Sequence, residues 1–498
     1  MRLSELLPDM DLAEAGALSV NGLALDSREL QAGNVFIALA GAKQHGLVHL
    51  PQALAKGAAA VVFEPSETGL ALVDQVPPSV PMLAVENLGL KLGGIAARYY
   101  QYPANFLSVI GITGTNGKTS CSQFLSQVLE NCGLIGTLGW GEWGSLAKTV
   151  NTTPDALETQ RILASLLKSG KTVVAMEVSS HGLEQGRVNG IRFRGAVYTN
   201  ISRDHLDYHG TMEAYFEAKL ALLAKPGLQF VVVNLDDAHS PQIIARVPSG
   251  VTVWGVSLQG KTIAGGEVVN AGNVLHHPDG IGFDVYYRNQ TQRIKVPLYG
   301  DFNAENSLTV LAVLLAMGLA FSEAVQKLAL LKPVAGRMER FGGNGQPLVF
   351  VDYAHTPDAL DKVLASVKKH CAKELWVVFG CGGNRDKGKR PQMGQIAQHW
   401  ADRMVITDDN PRYEDGLAII NDILAGCSTQ PTPGQAQPDI IQDRQQAIYK
   451  AIAHASADDC LVIAGKGHES YQESNGIQLP FSDSQVVMDA LAMRANKQ

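Results

Sequence analysis

The sequence lacks the features that mark secreted, membrane-spanning and nucleic-acid-binding proteins. Its 6 cysteines form no CxxC pair, so we predict reduced thiols rather than a disulfide framework or a zinc finger. The N-terminal MRLSELLPDM has no long apolar core, and the most apolar run, LTVLAVLLAMGLAF, is too short and too glycine-interrupted to cross a bilayer. Acidic residues outnumber basic ones by 48 to 41, which argues against a nucleic-acid-binding surface. We expect a mildly acidic, soluble enzyme of the cytoplasm, with neither nucleic acid nor membrane as a partner.

Length and composition predict several globular domains, because 498 residues, 46% of them hydrophobic, exceed what a single core needs. We predict three α/β domains, with boundaries at residues 1–106, 107–337 and 338–498. The first holds short strands such as NVFIAL and AAAVVF. The second alternates strands with helices, which is typical of a mostly parallel, doubly wound sheet, and IGFDVYYR with TQRIKVPL forms a hairpin at one edge. The third is Rossmann-like.

The third region repeats one pattern, an apolar strand that ends in a polar or glycine-rich loop. The four examples are LVFVDYAHTPD, ELWVVFGCGGNRD, DRMVITDDNPR and DCLVIAGKGHE. In an open α/β sheet such loops gather at the carboxyl ends of the strands, where ligands bind. Taken alone, the DDNPRYED loop is equally typical of a solvated turn, since Asp, Asn and Pro favour turns.

A glycine loop follows the strand FLSVIGIT and precedes a helix. In GTNGKT, residues 114–119, the glycines let backbone amides approach phosphate oxygens, Lys118 neutralises charge and Thr119 is placed to hold Mg²⁺. The earlier glycine is Gly111, which departs from the GxxxxGK[ST] spacing. The alternative is a glycine-rich turn without a phosphate, but Lys-Thr at this position favours nucleotide binding.

Other candidate side chains have weaker individual signals. Glu177, His205 and His209 follow strands and suit a metal beside the phosphate loop, although each alone is typical of a hydrogen-bonded loop residue. Lys219 lies on the apolar face of MEAYFEAKLALL, where periodicity favours a snorkelling ammonium over a buried amine available for chemistry.

Arg385, Arg412 and Glu469 are candidates for binding an amino acid that is charged at both ends. Each arginine presents a fork that matches a carboxylate, and the glutamate can accept hydrogen bonds from an ammonium. Singly, each is equally typical of a solvated surface charge.

Taken together, these motifs resemble the Mur ligase family over essentially the whole chain. The motifs that carry the resemblance are, in order, LDSR, GTNGKT, NTT, MEVSSHGL, TNISRDHLDYHG, GDFNAENSL, PVAGRMER, VDYAHTPDAL, GCGGNRDKGKRP, DDNPR and AGKGHE.

The resemblance implies an ATP-dependent amide ligase of peptidoglycan synthesis that acts as a monomer on small molecules. DDNPR is similar to the family branch that adds meso-2,6-diaminopimelate to UDP-N-acetylmuramoyl-L-alanyl-D-glutamate through an acyl phosphate. Three alternatives stay open: the same ligase using L-lysine, a ligase similar to folylpolyglutamate synthetase, and a phosphate-loop nucleotide switch.

The resemblance also implies roles for residues at the nucleotide. ATP would be held by Gly114, Thr115, Asn116, Gly117, Lys118, Thr119, Asn306, Arg337 and Asp352, with Asn306 near adenine and Asp352 near ribose. The catalytic residues would be Lys118, His205, Lys219 and Arg337. Magnesium would be bound by Thr119, Glu177, His205 and a carbon-dioxide-derived carbamate on Lys219.

Two further groups of residues match the substrate sites of the family. The UDP-muramoyl-dipeptide site would comprise Leu25, Ser27, Ala42, Lys43, Gln44, Asn151, Thr152, Thr153, Ser179, Gln185 and Arg187, although AKQ at 42–44 departs from the usual family sequence. The diaminopimelate site would comprise Arg385, Asp409, Asn410, Pro411, Arg412, Gly465 and Glu469.

Overall fold

The computed structural model describes residues 1–41, 44–73, 80–277, 279–428 and 437–496. Its strands are β1 (Gly22–Ala24), β2 (Asn34–Ala38), β3 (Ala60–Phe63), β4 (Met82–Ala84), β5 (Ser108–Thr113), β6 (Cys132–Gly136), β7 (Gly139–Glu142), β8 (Ser145–Ala147), β9 (Val173–Glu177), β10 (Phe193–Tyr198), β11 (Phe230–Asn234), β12 (Thr252–Ser257), β13 (Glu267–His277), β14 (Gly280–Tyr287), β15 (Gln290–Val296), β16 (Glu339–Gly342), β17 (Leu348–Asp352), β18 (Leu375–Phe379), β19 (Arg403–Ile406), β20 (Pro438–Ile440), β21 (Cys460–Ala464), β22 (Tyr471–Ser474) and β23 (Ile477–Pro480).

The α-helices are α1 (Leu3–Leu6), α2 (Leu50–Ala55), α3 (Glu67–Val73), α4 (Leu88–Tyr99), α5 (Lys118–Val128), α6 (Ala156–Lys168), α7 (Ser180–Glu184), α8 (Leu206–His209), α9 (Met212–Leu220), α10 (Ser240–Ile244), α11 (Asp301–Ala316), α12 (Phe321–Leu328), α13 (Pro357–Lys368), α14 (Lys389–Trp400), α15 (Gly416–Leu424), α16 (Arg444–His454) and α17 (Asp483–Ala495). Short 3₁₀ helices lie at Ala13–Ala17, Gly46–His49 and Pro103–Asn105.

The chain divides into two compact units. The first comprises Met1–Thr113, Glu130–Ala196 and Ala218–Gln229, and the second comprises Gly114–Leu129, Val197–Glu217 and Phe230–Gln498.

The first unit begins with a parallel sheet in the order β1-β2-β3-β4. Successive residues of its strands point to opposite faces, so Val35 and Ile37 join one core while Phe36 and Ala38 join the other. The first of these cores also includes Leu157 of α6.

The same unit contains the strands β10-β5-β9-β6-β7-β8, in that order. β5, β9 and β6 are parallel, whereas β6, β7 and β8 are antiparallel. β9 is buried along its whole length, which explains its continuous apolar sequence. Helix α6 begins at the carboxylate cap of Asp155, which accepts hydrogen bonds from the amides of Leu157 and Glu158.

The second unit contains β11-β12-β13-β14-β15, parallel up to β13 and then antiparallel. The predicted hairpin is confirmed, with Tyr287 paired to Gln290 across its turn. The apolar run that begins at Leu308 lies in α11 as a buried core helix. No helix in the described part of the chain is both long and apolar enough to cross a membrane.

The second unit also contains a six-stranded sheet in the order β16-β17-β21-β18-β19-β20, in which only the edge strand β16 is antiparallel. The four strands predicted from their polar endings are β17, β18, β19 and β21, and they are neighbours in this sheet. Asp352 pairs with Ala464 and Phe379 with Ile406, so the four strands end together. The predicted gathering of their loops at one edge is confirmed.

Candidate active site

The glycine loop joins β5 directly to α5. Gly114 has φ +143° and Gly117 has φ +85°, conformations that favour glycine. Neither position has room for a side chain. A Cβ on Gly114 would lie 1.9 Å from Thr199 Oγ1, and a Cβ on Gly117 would lie 2.7 Å from Asn306 Oδ1. Gly117 caps α5, so the positive end of the helix dipole faces the loop.

The segment after β10 holds the glycine loop in place. The amide of Thr115 donates to the Asn200 carbonyl at 2.8 Å, and the amide of Asn116 donates to Asn200 Oδ1 at 2.9 Å. Thr199 Oγ1 donates back to the Asn116 carbonyl at 2.6 Å, while the Ser202 amide donates to Thr115 Oγ1 at 2.9 Å. The TNIS motif therefore positions the loop, a role that sequence reasoning did not assign to it.

Two cations lie at the glycine loop. Lys118 Nζ donates to the carbonyls of Gly114 and Thr115, both at 2.8 Å. Arg337 NH2 donates to Thr119 Oγ1 at 3.1 Å, and its guanidinium stacks 4.4 Å from the centre of the Tyr353 ring. The predicted residues Lys118, Thr119 and Arg337 are thus brought to one place, with positive charge where phosphates would lie.

Asn306 lies close to the glycine loop, and Asp352 lies close to Arg337. In this structure both side chains already have contacts within the protein. Cys121 Sγ of α5 lies 3.5 Å from Asn306 Oδ1. The amide of Met338 donates to Asp352 Oδ2 at 2.7 Å. Burial raises the pKa of the Asp352 carboxyl to about 6, although nearby Arg337 and the backbone donors lower it.

A carboxylate that sequence reasoning missed, Asp204, lies between two histidines. Asp204 Oδ2 is 3.3 Å from His205 Nε2 and 3.9 Å from His355 Nε2. Burial opposes ionisation of Asp204, but the charges of His205, His355 and Lys389 outweigh it and lower its pKa. His205 has φ +54°, an uncommon conformation that fixes its imidazole beside the carboxylate. Asp204 and His355 are far apart in sequence, so no local motif pairs them.

The loops after β19 and β21 form a buried polar cluster. Lys466 Nζ donates to Asn410 Oδ1 and to Glu469 Oε2, both at 2.9 Å. Asn410 Nδ2 donates to Glu469 Oε2 at 2.8 Å. Lys466 and Asn410 are almost fully buried. Two predicted residues, Asn410 and Glu469, therefore meet, and Lys466 is a member of the cluster that the sequence analysis did not identify.

Arg412 lies beside the loop that follows β18. Its NH1 donates to the Gly383 carbonyl at 2.8 Å, and its Nε lies 3.5 Å from Glu473 Oε2. A Cβ on Gly382 would lie 2.8 Å from Arg412 NH1 and 3.8 Å from Arg385 Cγ, so both predicted arginines flank Gly382. Arg385 is exposed, whereas the Arg412 side chain is only 18% exposed.

Asp409 and Gly465 are adjacent as predicted, because a Cβ on Gly465 would lie 2.6 Å from Asp409 Oδ2. Pro411 lies against Gly383, whose Cβ would meet the Pro411 carbonyl oxygen at 1.9 Å. The seven predicted residues of this pocket thus belong to loops at one sheet edge.

A buried arginine joins two of these loops. Arg390 donates to both carboxylate oxygens of Glu414, each at 3.0 Å, and to Asp422 at 2.8 Å. Glu414 in turn accepts the amide of Asn384 at 2.5 Å. Arg390 follows GGNRDKGK in the sequence, but periodicity gives no signal that its side chain is buried.

In the first unit, Glu177 is fully buried at the end of β9. Its two oxygens accept from the amide and the hydroxyl of Thr137, each at 3.0 Å. Thr137 Oγ1 lies 3.0 Å from Thr152 Oγ1. A predicted metal ligand and a predicted substrate residue are therefore linked through Thr137, which the sequence analysis did not single out.

Four other residues predicted at the muramoyl-peptide end, Thr153, Ser179, Gln185 and Arg187, form a second network. Thr153 Oγ1 lies 3.1 Å from Ser179 Oγ, which caps α7 by accepting from Gly182. Arg187 NH1 donates to the Thr153 carbonyl at 2.9 Å, and its NH2 donates to Gln185 Oε1 at 2.6 Å.

Lys219 lies in α9 with only 1% of its surface exposed. The snorkelling interpretation that periodicity favoured is wrong, because a snorkelling ammonium would reach water. The alternative, a buried amine, is the one that the structure supports.

A cavity of about 630 Å³ in the first unit includes Leu25 and Asn151 in its lining, with Tyr100, Lys148 and Arg161. Ser27 is buried and donates to Gln52 at 2.7 Å. Gln44 is exposed, and Ala42 and Lys43 lie outside the described residues.

The described side chains include no group of three or more His, Cys, Asp or Glu residues placed to hold a metal ion. The predicted magnesium ligands are of mixed type: a hydroxyl, a carboxylate, an imidazole and a modified lysine. Three of these four would offer oxygen, the donor that suits Mg²⁺, which usually keeps several waters and takes few protein ligands.

These features together define a nucleotide-dependent enzyme of the phosphate-loop class, with a charged side-chain cluster at the edge of a second sheet. Comparison with known proteins identifies the family. Three models match: "Mur ligase family, catalytic domain" over residues 19–100, "Mur ligase middle domain" over 112–314, and "Mur ligase, glutamate ligase domain" over 336–467. The chain belongs to the Mur ligase family and is an ATP-dependent amide ligase.

Relatives with known names cover the whole chain. A UDP-N-acetylmuramoyl-L-alanyl-D-glutamate--2,6-diaminopimelate ligase from Alkalilimnicola ehrlichii is 47% identical over 99% of both chains. A ligase of the same name from Pseudomonas aeruginosa is 44% identical over 99% of this chain and 98% of its own. A solved structure of a ligase of that name is 36% identical, with a TM-score of 0.70 and 99% of each chain covered. The family and the three-domain architecture predicted from the motifs are confirmed.

Folylpolyglutamate synthase from Mycobacterium tuberculosis is also similar in fold, with a TM-score of 0.59 at 18% identity over 76% of this chain and 92% of its own. Similarity at that identity extends to the fold alone.

Proposed function

We propose that the protein uses ATP to join meso-2,6-diaminopimelate to UDP-N-acetylmuramoyl-L-alanyl-D-glutamate. The observation that carries this proposal is the similarity to ligases of that name at 47% identity over 99% of both chains. The polar cluster of Asn410, Lys466 and Glu469 with the neighbouring Arg412 supports it, because these groups offer both signs of charge to an amino acid with two charged ends.

The reaction requires activation of a carboxylate, which is a poor electrophile. In the proposed mechanism an oxygen of the terminal carboxylate attacks the γ-phosphorus of ATP, and ADP leaves. The amine of diaminopimelate then attacks the acyl carbon, and the tetrahedral intermediate expels phosphate and loses a proton. Lys118 and Arg337 would bind the phosphates at the N-terminus of α5, so that the protein contributes positioning and charge neutralisation.

Magnesium would neutralise phosphate charge during this transfer. Thr119, Glu177, His205 and a carbamate on Lys219 would hold it. The chemistry of Lys219 fits this assignment, because carbon dioxide would convert a buried amine, 1% exposed, into an anion. Asp204 would orient His205, since the two side chains lie 3.3 Å apart.

For the nucleotide-sugar substrate we propose that the cavity holds the uridine end at Leu25, with Asn151 in the same lining toward the peptide end. The network of Thr152, Thr153 and Arg187 would face the peptide end. Gln185 and Ser179 would position Arg187 and α7.

Specificity for diaminopimelate over lysine would depend on the far end of the acceptor. Lysine offers only an ammonium there, whereas diaminopimelate also offers a carboxylate that Arg412 can bind through two hydrogen bonds. A lysine ligand would leave the guanidinium of Arg412, only 18% exposed, without that partner.

The domain boundaries at 1–106, 107–337 and 338–498 are part of the same proposal, as are action as a monomer and a cytoplasmic location. Six free thiols support a reducing compartment.

An acceptor-dependence assay tests the function. Purified protein with ATP, Mg²⁺ and the UDP-muramoyl-dipeptide is expected to release ADP only after an amino acid is added, with meso-diaminopimelate far more effective than L-lysine. Equal turnover with both amino acids would contradict the specificity. ADP release that does not depend on any acceptor would contradict the ligase reaction and favour a nucleotide switch.

A further inference from the structure

A small cavity lies at the amino-terminal ends of β5 and β10, within the first unit. It has a volume of about 200 Å³, and its polar lining consists of Asn105, Ser108, Arg192, Arg194 and Gln229. We propose that this cavity is a second anion site, which binds a compact oxyanion such as phosphate or sulfate away from the ATP-binding loop. The inference does not depend on the proposed substrates.

Two hydrogen bonds orient the guanidinium of Arg194 at the cavity. Arg194 Nε donates to Gln229 Oε1 at 3.2 Å, and its NH1 donates to Ser108 Oγ at 3.1 Å. These two bonds fix the plane of the guanidinium while using only part of its five N–H donors. Arg194 is therefore held ready for a ligand at low entropic cost.

The stem of Arg192 lies against Gly227. Gly227 has φ +93°, and a Cβ there would lie 2.4 Å from Arg192 Cγ. Glycine thus allows the arginine stem to lie on the backbone at the cavity. Arg192 makes no hydrogen bond or ion pair with another residue of the described chain, so its guanidinium is available to the cavity.

The charge of the cavity lining is of one sign. Several arginines elsewhere pair with carboxylates: Arg161 lies 2.5 Å from Glu158, Arg246 lies 2.6 Å from Glu217, and Arg288 lies 2.6 Å from Glu267. The cavity lining contains two arginines and no Asp or Glu. In a protein of net charge −7, an unneutralised arginine pair marks a place where an external anion is favoured.

The cavity is large enough for a compact anion and lies away from the glycine loop. Its volume of about 200 Å³ accommodates one tetrahedral oxyanion with a few waters. Ser108 is the first residue of β5 and Thr113 the last, and the glycine loop follows Thr113. The site is therefore at the other end of this strand, roughly 15–20 Å along it.

The experiment titrates the full-length protein with inorganic phosphate by isothermal calorimetry, in a Lys118→Ala background that weakens phosphate binding at the glycine loop. One phosphate is expected to bind, and adding Arg192→Gln is expected to weaken it at least fivefold. Arg192 has no internal partner, so this variant should fold as the parent does. Lys168→Gln removes an exposed positive charge from α6 and serves as the matched control, with unchanged affinity expected.

Competition identifies the ligand class. Sulfate is expected to displace phosphate, whereas chloride at equal ionic strength is not. The proposal is overturned if Arg192→Gln binds phosphate as tightly as its parent, if chloride competes as well as sulfate, or if Lys118→Ala alone abolishes binding. Ligase activity of the single variant Arg192→Gln is expected to remain unchanged in phosphate-free buffer.

Discussion

At the scale of single residues, Arg412 is the side chain that we propose distinguishes diaminopimelate from lysine. It combines an uncommon backbone conformation, φ +53°, with a hydrogen bond from its guanidinium to the Gly383 carbonyl. Two backbone hydrogen bonds hold this strained conformation. The amide of Arg412 donates to the Glu473 carbonyl at 3.0 Å, and the Arg412 carbonyl accepts from the amide of Asn475 at 2.6 Å.

Replacing Arg412 by Lys tests this link. Lysine keeps the charge but cannot bind a carboxylate through two parallel bonds, so the KM for diaminopimelate should rise about 10-fold or more, as expected for a lost charge-assisted hydrogen bond. The KM for ATP should change less than about 2-fold. Steady-state kinetics with each substrate varied in turn provide the measurement, and an unchanged diaminopimelate KM would remove Arg412 from the pocket.

Lys219 provides a second test at this scale. We expect Lys219→Ala to lose nearly all activity and to regain part of it when a small carboxylate such as formate is added, since that anion would replace the carbamate. Lys225→Ala is the matched control, because Lys225 is also partly buried but donates to Asn189 at 2.6 Å. Full activity of Lys219→Ala, or equal recovery of both variants, would contradict the carbamate.

At the scale of elements, the proposed amino-acid site depends on how the strand-end loops are held together. Arg390 at the start of α14 binds Glu414 before α15 and also lies 3.3 Å from the carbonyl of Gly382. A second buried pair has a similar role: Arg444 of α16 donates to both oxygens of Asp483, each at 2.7 Å, and to the Ala464 carbonyl at the end of β21. Helices and loops at this sheet edge are thus joined through guanidinium groups.

Arg390→Lys is expected to act on binding rather than on chemistry. One ammonium cannot replace a fork that reaches both oxygens of Glu414 and Asp422, so the loops that carry Arg385 and Arg412 should loosen. The diaminopimelate KM should rise several-fold while the ATP KM stays constant.

The control for Arg390 is Arg403→Lys. Arg403 pairs with Glu374 at 3.2 Å on the same sheet, but it lies at the start of β19 and is more than half exposed. If both variants behave alike, or if the Arg390 variant loses kcat without a change in KM, the positioning role is wrong.

At the scale of the whole molecule, buried carboxyl groups make stability depend on pH. The pKa of Asp352 is raised by burial to about 6, from an ordinary value of 3.8. Between these two values the folded state holds a proton that the unfolded state has lost, so the unfolding free energy falls as pH rises from about 4 to 6 and then levels off. The displacement from 3.8 to about 6 corresponds to roughly 3 kcal/mol.

Asp352→Asn removes this titration while keeping an oxygen that can accept from the Met338 amide. The thermal midpoint of the variant, relative to the natural protein, is expected to be higher at pH 7.5 than at pH 4.5. Differential scanning calorimetry at both values measures this, with Asp458→Asn on the exposed surface as control. A relative midpoint that does not change with pH, or that falls as pH rises, would contradict the raised pKa.

The sequence by itself determined the family, the glycine loop and the alternation of strands with helices along the chain. These features depend on neighbouring residues: a loop and its helix are adjacent in the chain, and an apolar strand followed by polar residues is a local pattern. For the same reason the four polar strand ends were predicted correctly, since parallel strands place their carboxyl ends together once the alternation with helices is recognised.

Only the tertiary structure decided the partners and the burial of individual charges. Asp204 meets His355, and Arg390 meets Glu414 and Asp422, across stretches of sequence that carry no common period. Periodicity favoured a solvated ammonium for Lys219, which is in fact buried. Helical periodicity shows on which face a side chain lies, but not how deeply other elements cover that face. Whether a charge is solvated, paired or buried depends on atoms brought from elsewhere in the chain, and folding alone brings them there.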